Sequence, residues 1–258
     1  MEKFRTIEEY LLNIGTDLRM CELTDVDISR ADLRSVLLPD DEKLFQKVKG
    51  KSLCKTKLPN GDYSRYDFTG VNLNGTEFQH DSKLPDTKNL FKDIYNSELY
   101  ETILPKIDCN NYDFTGVRIS KTIFTTDSIF SEDKDMFQKV YNKSLYETKL
   151  PLSDYSKFDF KDVCIVGTNF QEMSSLPPKV NFFQIVRDKS VLNTVLPSNV
   201  VKNLDIYDLS NVEIDLTKYK INILKLSHIY RKYKDNSKIE FPLMQLSTRR
   251  KKTIHIKK

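Results

Sequence analysis

A repeat of 46 residues constrains this chain more than any other feature of its sequence. The strings YDFTGVNLNGTEF, YDFTGVRISKTIF and FDFKDVCIVGTNF begin at residues 66, 112 and 158, and a weaker copy, YDLSNVEI, begins at residue 207. A second shared string ends in prolines with the same 46-residue spacing: Pro59, Pro105, Pro151 and Pro197. A fixed period of this length predicts that copies of one supersecondary unit are stacked on each other.

A shorter period of five residues runs inside each module. Large side chains recur at every fifth position, and in the first module they are Leu53, Leu58, Tyr63, Phe68, Leu73 and Phe78. In the second module they are Leu99, Leu104, Cys109, Phe114, Ile119 and Phe124. A period of five matches neither the 3.6 of a helix nor the 2.0 of a flat strand. It predicts a chain that turns a corner every five residues and points one large residue inward on each side.

The N-terminal part of the ladder resembles a known family. Residues 16–35, TDLRM-CELTD-VDISR-ADLRS, are similar to the A-(D/N)-L-x-x pattern of pentapeptide-repeat proteins. The resemblance implies square coils of four pentapeptides, in which the central Leu or Phe and the residue two before it face inward. The chain departs from the pattern at Tyr66, Tyr112 and Phe158, which stand where the family prefers a small residue such as Ala31. We therefore expect offset corners at these three places.

Together with these patterns, the resemblance implies a mainly β fold, a right-handed quadrilateral β-helix of the pentapeptide-repeat solenoid kind, in one continuous body. We assign residues 1–15 to an N-terminal helical cap, 16–216 to the solenoid in modules of about 46 residues, 217–246 to a C-terminal cap and 247–258 to a basic tail. Apolar residues at i, i+1 and i+4 between the ladders favour a short helical insertion in each module. The alternative is that these residues form further sides of the coil.

Features of secreted and membrane proteins are missing from the sequence. Glu2, Glu8 and Glu9 fall where a secretory signal needs a basic and then an apolar segment. No apolar run approaches the roughly 18 residues of a membrane span, and the four cysteines form no CxxC pair. We expect a cytoplasmic protein with reduced thiols. The abundance of Lys, Asn and Ile is typical of an AT-rich bacterial or phage genome.

Nothing in the sequence predicts a catalytic centre. The three histidines, His80, His228 and His255, belong to no metal or nucleophile motif, and no phosphate- or dinucleotide-binding loop is present. Cys109 lies on the five-residue ladder, where a core role is favoured over that of a nucleophile. We therefore expect no enzyme, no cofactor and no bound metal.

A file of aspartates, Asp67, Asp113, Asp159 and Asp208, recurs with the repeat. One interpretation is cation binding or phosphate mimicry. However, copies of one position two layers apart would be separated by about twice the ~4.8 Å spacing of strands, too far to share an ion whose ligands lie at about 2.3–2.6 Å. The favoured interpretation is that these side chains accept backbone hydrogen bonds at corners.

Charge is unevenly distributed along the chain. Residues 1–42 carry 11 acids and 5 bases, whereas residues 247–258 carry 6 bases and no acid. These six bases are the candidate partner-binding residues: Arg249, Arg250, Lys251, Lys252, Lys257 and Lys258. Such a cluster is typical of segments that bind nucleic acid or an acidic partner. A solvated, solubilising end is the alternative.

The favoured function is a non-enzymatic protein-interaction scaffold that presents a side face of the solenoid to an unidentified protein partner. The family resemblance implies one alternative, because some members mimic duplex DNA and shield type II topoisomerases. Those members are acidic along their length, and here only residues 1–42 are. The other alternative is binding of nucleic acid or an anionic surface through the basic C-terminal end.

Overall fold

A computed structural model describes residues 5–242 of the chain. Its α-helices are α1 (Ile7–Asn13), α2 (Leu44–Lys47), α3 (Leu90–Asp93), α4 (Met136–Lys139), α5 (Phe182–Ile185), α6 (Ser198–Lys202) and α7 (Ile223–Tyr233). Single 3-10 turns lie at Lys49–Lys51, Tyr95–Ser97, Cys109–Asn111, Tyr141–Lys143, Arg187–Lys189, Leu204–Ile206 and Leu216–Lys218. Two short strands, β1 (Ile214–Asp215) and β2 (Ile239–Glu240), pair in parallel with Ile214 opposite Ile239.

The prediction of a mainly β fold is wrong. Helix, with the 3-10 turns, accounts for 25% of the described residues, and strand accounts for 13% only when the isolated bridge residues are included. The one sheet of the described residues is the β1–β2 pair. Elsewhere the pairing consists of isolated parallel bridges, such as Glu98 with Arg118. The five-residue spacing explains this result, because the chain turns before a second neighbouring residue can pair and no ladder of strand length forms. The terms β-helix and solenoid therefore do not describe the structure.

Single bridges nevertheless join residues that lie one layer apart. Ile103 bridges to Ile123, and Ile123 bridges in turn to Lys149 in the layer after it. The stretch of chain from Ile103 to Ile123, the short step, has fewer residues than the stretch from Ile123 to Lys149, the long step. One short and one long step together make up a module. The repeat thus stacks turn-rich layers, two to a module, and the longer step contains the short helix.

The large residues at every fifth position form the core, as the period predicts. Phe114 is 4% exposed and Phe160 is fully buried, which confirms that both point inward. Their rings pack against a phenylalanine from the short helix of the same module: the centroid of Phe91 lies 5.3 Å from that of Phe114, and Phe137 lies 5.1 Å from Phe160. Each helix therefore contributes to the same aromatic core as the ladder.

A column of buried threonines binds each layer to the one before it. Thr122, which lies two residues before Phe124, donates its hydroxyl to the carbonyl of Leu99 at 2.7 Å. Equivalent bonds of 2.7–2.8 Å come from Thr56, Thr76, Thr102, Thr148, Thr168 and Thr194. Because these hydroxyls are satisfied by carbonyls of the neighbouring layer, they are buried without the cost of an unpaired polar group.

The four short helices α2 to α5 occupy the segments between the ladders, at equivalent places in the modules. Glutamine side chains tie three of them to the next layer. In α2, the amide of Gln46 donates to the carbonyls of Asp67 at 3.0 Å and Thr69 at 2.9 Å, and Gln138 and Gln184 repeat the pattern. In α3 a lysine, Lys92, takes the place of the glutamine and pairs with Asp113 at 3.2 Å.

Longer helices lie against the first and last described layers. In α1, Thr6 and Glu9 form a capping box, and the Tyr10 hydroxyl donates to the carbonyl of Glu22 at 2.8 Å. In α7, the buried face includes Ile229 and Tyr233. The Tyr233 hydroxyl accepts from the backbone N–H of Leu209 at 3.2 Å. Apolar side chains of both terminal layers are thereby covered by a helix.

Candidate interaction face

Two tyrosines occupy the same corner of successive modules. Tyr100 and Tyr146 are one 46-residue period apart, and their carbonyls each accept a backbone hydrogen bond of 2.8 Å from the adjacent layer, from Gly75 and Lys121 respectively. Tyr100 is half-buried and Tyr146 is 39% exposed. The backbone therefore places both tyrosines at equivalent corners on one edge of the stack.

The residue after each tyrosine has a left-handed backbone conformation. Glu101 and Glu147 have φ of 60° and 53°, and Lys121, between them in the stack, has φ of 60°. Glycine fills this place in other layers, where Gly75 and Gly167 have φ of 71° and 70°. A side chain in this conformation costs roughly 1–2 kcal/mol relative to ordinary backbone. The three charged residues therefore hold places where glycine would be less strained.

Lys121 joins three successive layers through its ammonium group. Its Nζ lies 3.4 Å from a carboxylate oxygen of Glu101 and 3.6 Å from one of Glu147. The same nitrogen lies 5.1 Å from the centroid of the Tyr100 ring, within the range of a cation–π contact. Interaction with the Tyr100 hydroxyl, followed by that with Glu101, raises the pKa of Lys121 above its ordinary value. Lys121 stays charged at neutral pH.

Arg118 also lies over the Tyr100 ring. Its guanidinium carbon lies 5.0 Å from the ring centroid, and its Nη1 lies 3.3 Å from Glu98. Glu98 also accepts from the side-chain amide of Asn74 at 3.1 Å. Cationic side chains from two places thus hold Tyr100 in one orientation, which lowers the entropy that the ring loses when a partner binds.

These contacts define one surface, which we call the tyrosine face: Glu98, Tyr100, Glu101, Arg118, Lys121, Tyr146 and Glu147. Two further tyrosines, Tyr95 and Tyr141, precede Tyr100 and Tyr146 by one step of the five-residue ladder and are 50% and 54% exposed. The face contains three acids and two bases, so its charge is nearly balanced. Tyrosine and arginine are the residue types enriched in protein interfaces.

The aspartate file forms corners, as the favoured interpretation predicts. Asp67, Asp113 and Asp159 accept the backbone N–H two residues further along at 2.9, 2.9 and 2.8 Å, and Asp208 does the same at 2.9 Å. Hydrogen bonds from Thr115 are the largest cause that lowers the pKa of Asp113 to about 2. These carboxylates are occupied with the chain's own backbone.

The other residues noted in the sequence lie apart from the tyrosine face. Cys109 is buried, and burial raises the pKa of its thiol well above the ordinary value, so that the reactive thiolate is disfavoured. The exposed His80 bonds Asp81 at 2.8 Å and Asp127 at 2.9 Å. This arrangement links two layers. Within residues 5–242, no group of three or more His, Cys, Asp or Glu side chains could hold a metal ion.

The predicted partner-binding residues of the basic tail, Arg249, Arg250, Lys251, Lys252, Lys257 and Lys258, lie outside the described residues. Their binding role stays a prediction. Across the described part of the chain, no helix has both the length and the apolar character needed to cross a membrane.

The tyrosine face was missed in the sequence, although a signal was present. Glu101, Lys121 and Glu147 follow one another at the short and then the long step of the stack. Aligning the sequence by these two steps places opposite charges in one column. The 46-residue period alone aligns only the two glutamates and conceals the lysine between them.

Comparison with known proteins adds no relative. No family model matches the chain, and no curated protein sequence matches it. Its place among the pentapeptide-repeat proteins therefore stays a prediction that rests on residues 16–35 and the five-residue ladder.

Proposed function

We propose that this protein is a non-enzymatic interaction scaffold that binds a protein partner through the tyrosine face. The observation that carries the proposal is the placement of Tyr100 and Tyr146 on one edge, with both Arg118 and Lys121 about 5 Å from the Tyr100 ring. Ordered aromatic side chains next to arginine are typical of the residues that contribute most of the binding energy in protein interfaces.

The charge of the face favours a protein over a polyanion. Its two bases are both engaged with glutamates, at 3.3 to 3.6 Å. A nucleic-acid site would instead present lysine and arginine side chains that are free to pair with phosphates. A partner that contacts tyrosine rings and exchanges ion pairs at their rim fits the alternating charges better.

Catalysis forms no part of the proposal. The charged side chains of the tyrosine face are exposed or half-buried and paired with each other, whereas catalytic groups typically converge in a cleft. The proposed location is cytoplasmic, and the four free cysteines fit a reducing compartment.

Comparative affinity capture tests the proposal. The bait variant combines Tyr146→Ala with Arg118→Glu, and the control variant combines Leu152→Ala with Lys157→Glu on another side of the stack. Leu152 is 46% exposed, so its truncation is a matched loss of surface. We expect one protein to be captured by the wild type and the control but at least tenfold less by the face variant, with circular dichroism unchanged. Equal capture by all three would contradict the proposal.

A further inference from the structure

The repeat changes its length once, between Pro197 and Tyr207. The last copy of the shared string begins at Tyr207, which is 49 rather than 46 residues after the copy before it. The three additional residues lie in the segment that contains α6 (Ser198–Lys202). The bridge between Ser190 and Glu213 consequently spans a longer stretch of chain than its equivalent in the preceding module, which joins Ser144 to Cys164.

The two layers around this insertion are joined differently from those before them. In the preceding module, the N–H of Leu150 donates to Asn169 at 3.0 Å, and the N–H of Asn169 donates to Thr148 at 2.8 Å. In the last module, the carbonyl of Thr194 accepts from the hydroxyl of Tyr219 at 2.6 Å. At this place a side-chain hydrogen bond thus stands where the preceding module has a backbone bridge.

A cavity of about 450 Å³ lies beside this contact, and both Thr194 and Tyr219 line it. This volume lies within the range of sites that bind small molecules. Val195, Leu196 and Val201 give it an apolar wall, and Tyr219 closes one side. Val195 is 48% exposed although it is apolar, so a ligand that covers it gains hydrophobic free energy.

The same cavity carries a surplus of positive charge. Lys202, Lys218 and Lys220 line it together with one acid, Glu172. Glu172 accepts a hydrogen bond from the hydroxyl of Ser198 at 2.8 Å, and Lys218 pairs with an aspartate at 3.5 Å. Within residues 5–242, neither Lys202 nor Lys220 has an acidic partner within ion-pair distance. These two ammonium groups are available to an anion.

We propose that this cavity binds a small organic anion with an apolar body, of the class of medium-chain carboxylates. The carboxylate pairs with Lys202 and Lys220, while the hydrocarbon part covers Val195 and Val201. Another cavity, of about 360 Å³, differs because two acids, Asp113 and Asp133, line it and would repel an anion. The cavity beside α6 combines an apolar wall with two lysines, Lys202 and Lys220, that have no acidic partner among the described residues.

Titration of the full-length protein with octanoate tests the proposal, with octanol as an uncharged probe of equal length. Two-dimensional NMR should show octanoate shifts at Val195 and Tyr219, with binding at least tenfold tighter than that of octanol. The double variant Lys202→Gln and Lys220→Gln should weaken octanoate binding at least tenfold and leave octanol within twofold. Lys88→Gln, a lysine that lines the other cavity, should change neither.

A second variant separates binding from folding. Val195→Asp places an acid at an exposed position of the apolar wall and should abolish octanoate binding with an unchanged circular dichroism spectrum. The proposal is overturned if octanoate binds no better than octanol, if its shifts lie outside the cavity, or if the lysine and Val195 variants bind it like the wild type.

Discussion

Cys109 and Phe130 occupy matching places in the cores of two adjacent layers. The N–H of Cys109 donates to the carbonyl of Ile129 at 2.8 Å, which aligns the two layers at this point, and both side chains are buried. The same two places hold Tyr63 with Leu84 in the first module, and Tyr155 with Leu176 in the third. Each module thus combines an aromatic ring with a smaller residue at these two places. In the first and third modules the ring comes first along the chain, and in the second module the smaller residue, Cys109, comes first.

This reversal predicts an energetic coupling between the two positions. Cys109→Tyr alone overfills the core and Phe130→Leu alone leaves a cavity, so each should cost about 1–3 kcal/mol of unfolding free energy. The double variant restores the pair of the neighbouring modules, and its new hydroxyl has the carbonyl of Pro105 as an acceptor, as Tyr155 has that of Pro151 at 2.7 Å. Denaturant unfolding should show a favourable coupling of about 1–3 kcal/mol.

Additivity of the two single effects would contradict the pairing. Tyr155→Cys with Leu176→Phe, which makes the reverse exchange in the third module, serves as a matched control and should show coupling of the same sign.

The threonine column predicts a second, smaller effect. Thr122→Val keeps the shape of the side chain and removes its hydrogen bond to Leu99. The carbonyl of Leu99 still accepts from the N–H of Thr102 at 3.0 Å, so no buried acceptor is left unpaired and the loss should be about 1 kcal/mol. Urea unfolding measures it. Thr126→Val, at an exposed position, should change stability by less than about 0.5 kcal/mol.

His80 predicts a dependence of stability on pH. Hydrogen bonds to Asp81 and then Asp127 raise the pKa of the imidazole above 6.5. Stabilisation by its charged form is therefore fully present below pH 6.5 and is lost as the pH rises through the higher pKa of the folded state. Lys106 also pairs with Asp127, at 3.4 Å.

Proton NMR should place the pKa of His80 above 6.5. The melting temperature of the wild type should fall more between about pH 6 and 8 than that of His80→Gln. An equal fall in both proteins would show that the contacts of His80 do not stabilise the fold.

The sequence predicted the inward residues because a period reports burial directly. Phe114 and Phe160 could be assigned from spacing alone. The type of backbone pairing could not be predicted from the spacing. The ladder residue at every fifth position points inward whether each side of a layer forms a single bridge or a strand. Tyr66 shows another limit of the pattern: it was expected inward, but it is half-buried and its hydroxyl donates to Pro39 at 3.1 Å. A residue two places before the ladder residue can therefore lie across a corner.

The candidate sites also divide into contacts that the sequence could predict and contacts that it could not. The aspartate corners were predictable because the hydrogen bond involves a side chain and a backbone only two residues apart. The contacts of Lys121 and the cavity beside Tyr219 depend on which residues the layers bring together, and that depends on the unequal steps between successive bridges. The 49-residue spacing before Tyr207 marked the irregular module, but it gave no indication of an open space.

Site-specific photo-crosslinking tests the proposed interaction most directly. A photoreactive benzoylphenylalanine replaces Tyr146 in one variant and Leu152, on another side of the stack, in a second, each expressed in the native host cells. We predict that illumination links the residue at position 146 to one defined protein, that position 152 gives no such product, and that adding Arg118→Glu suppresses the first product at least tenfold. A crosslink of equal yield from both positions, or one unaffected by Arg118→Glu, would contradict binding through the tyrosine face.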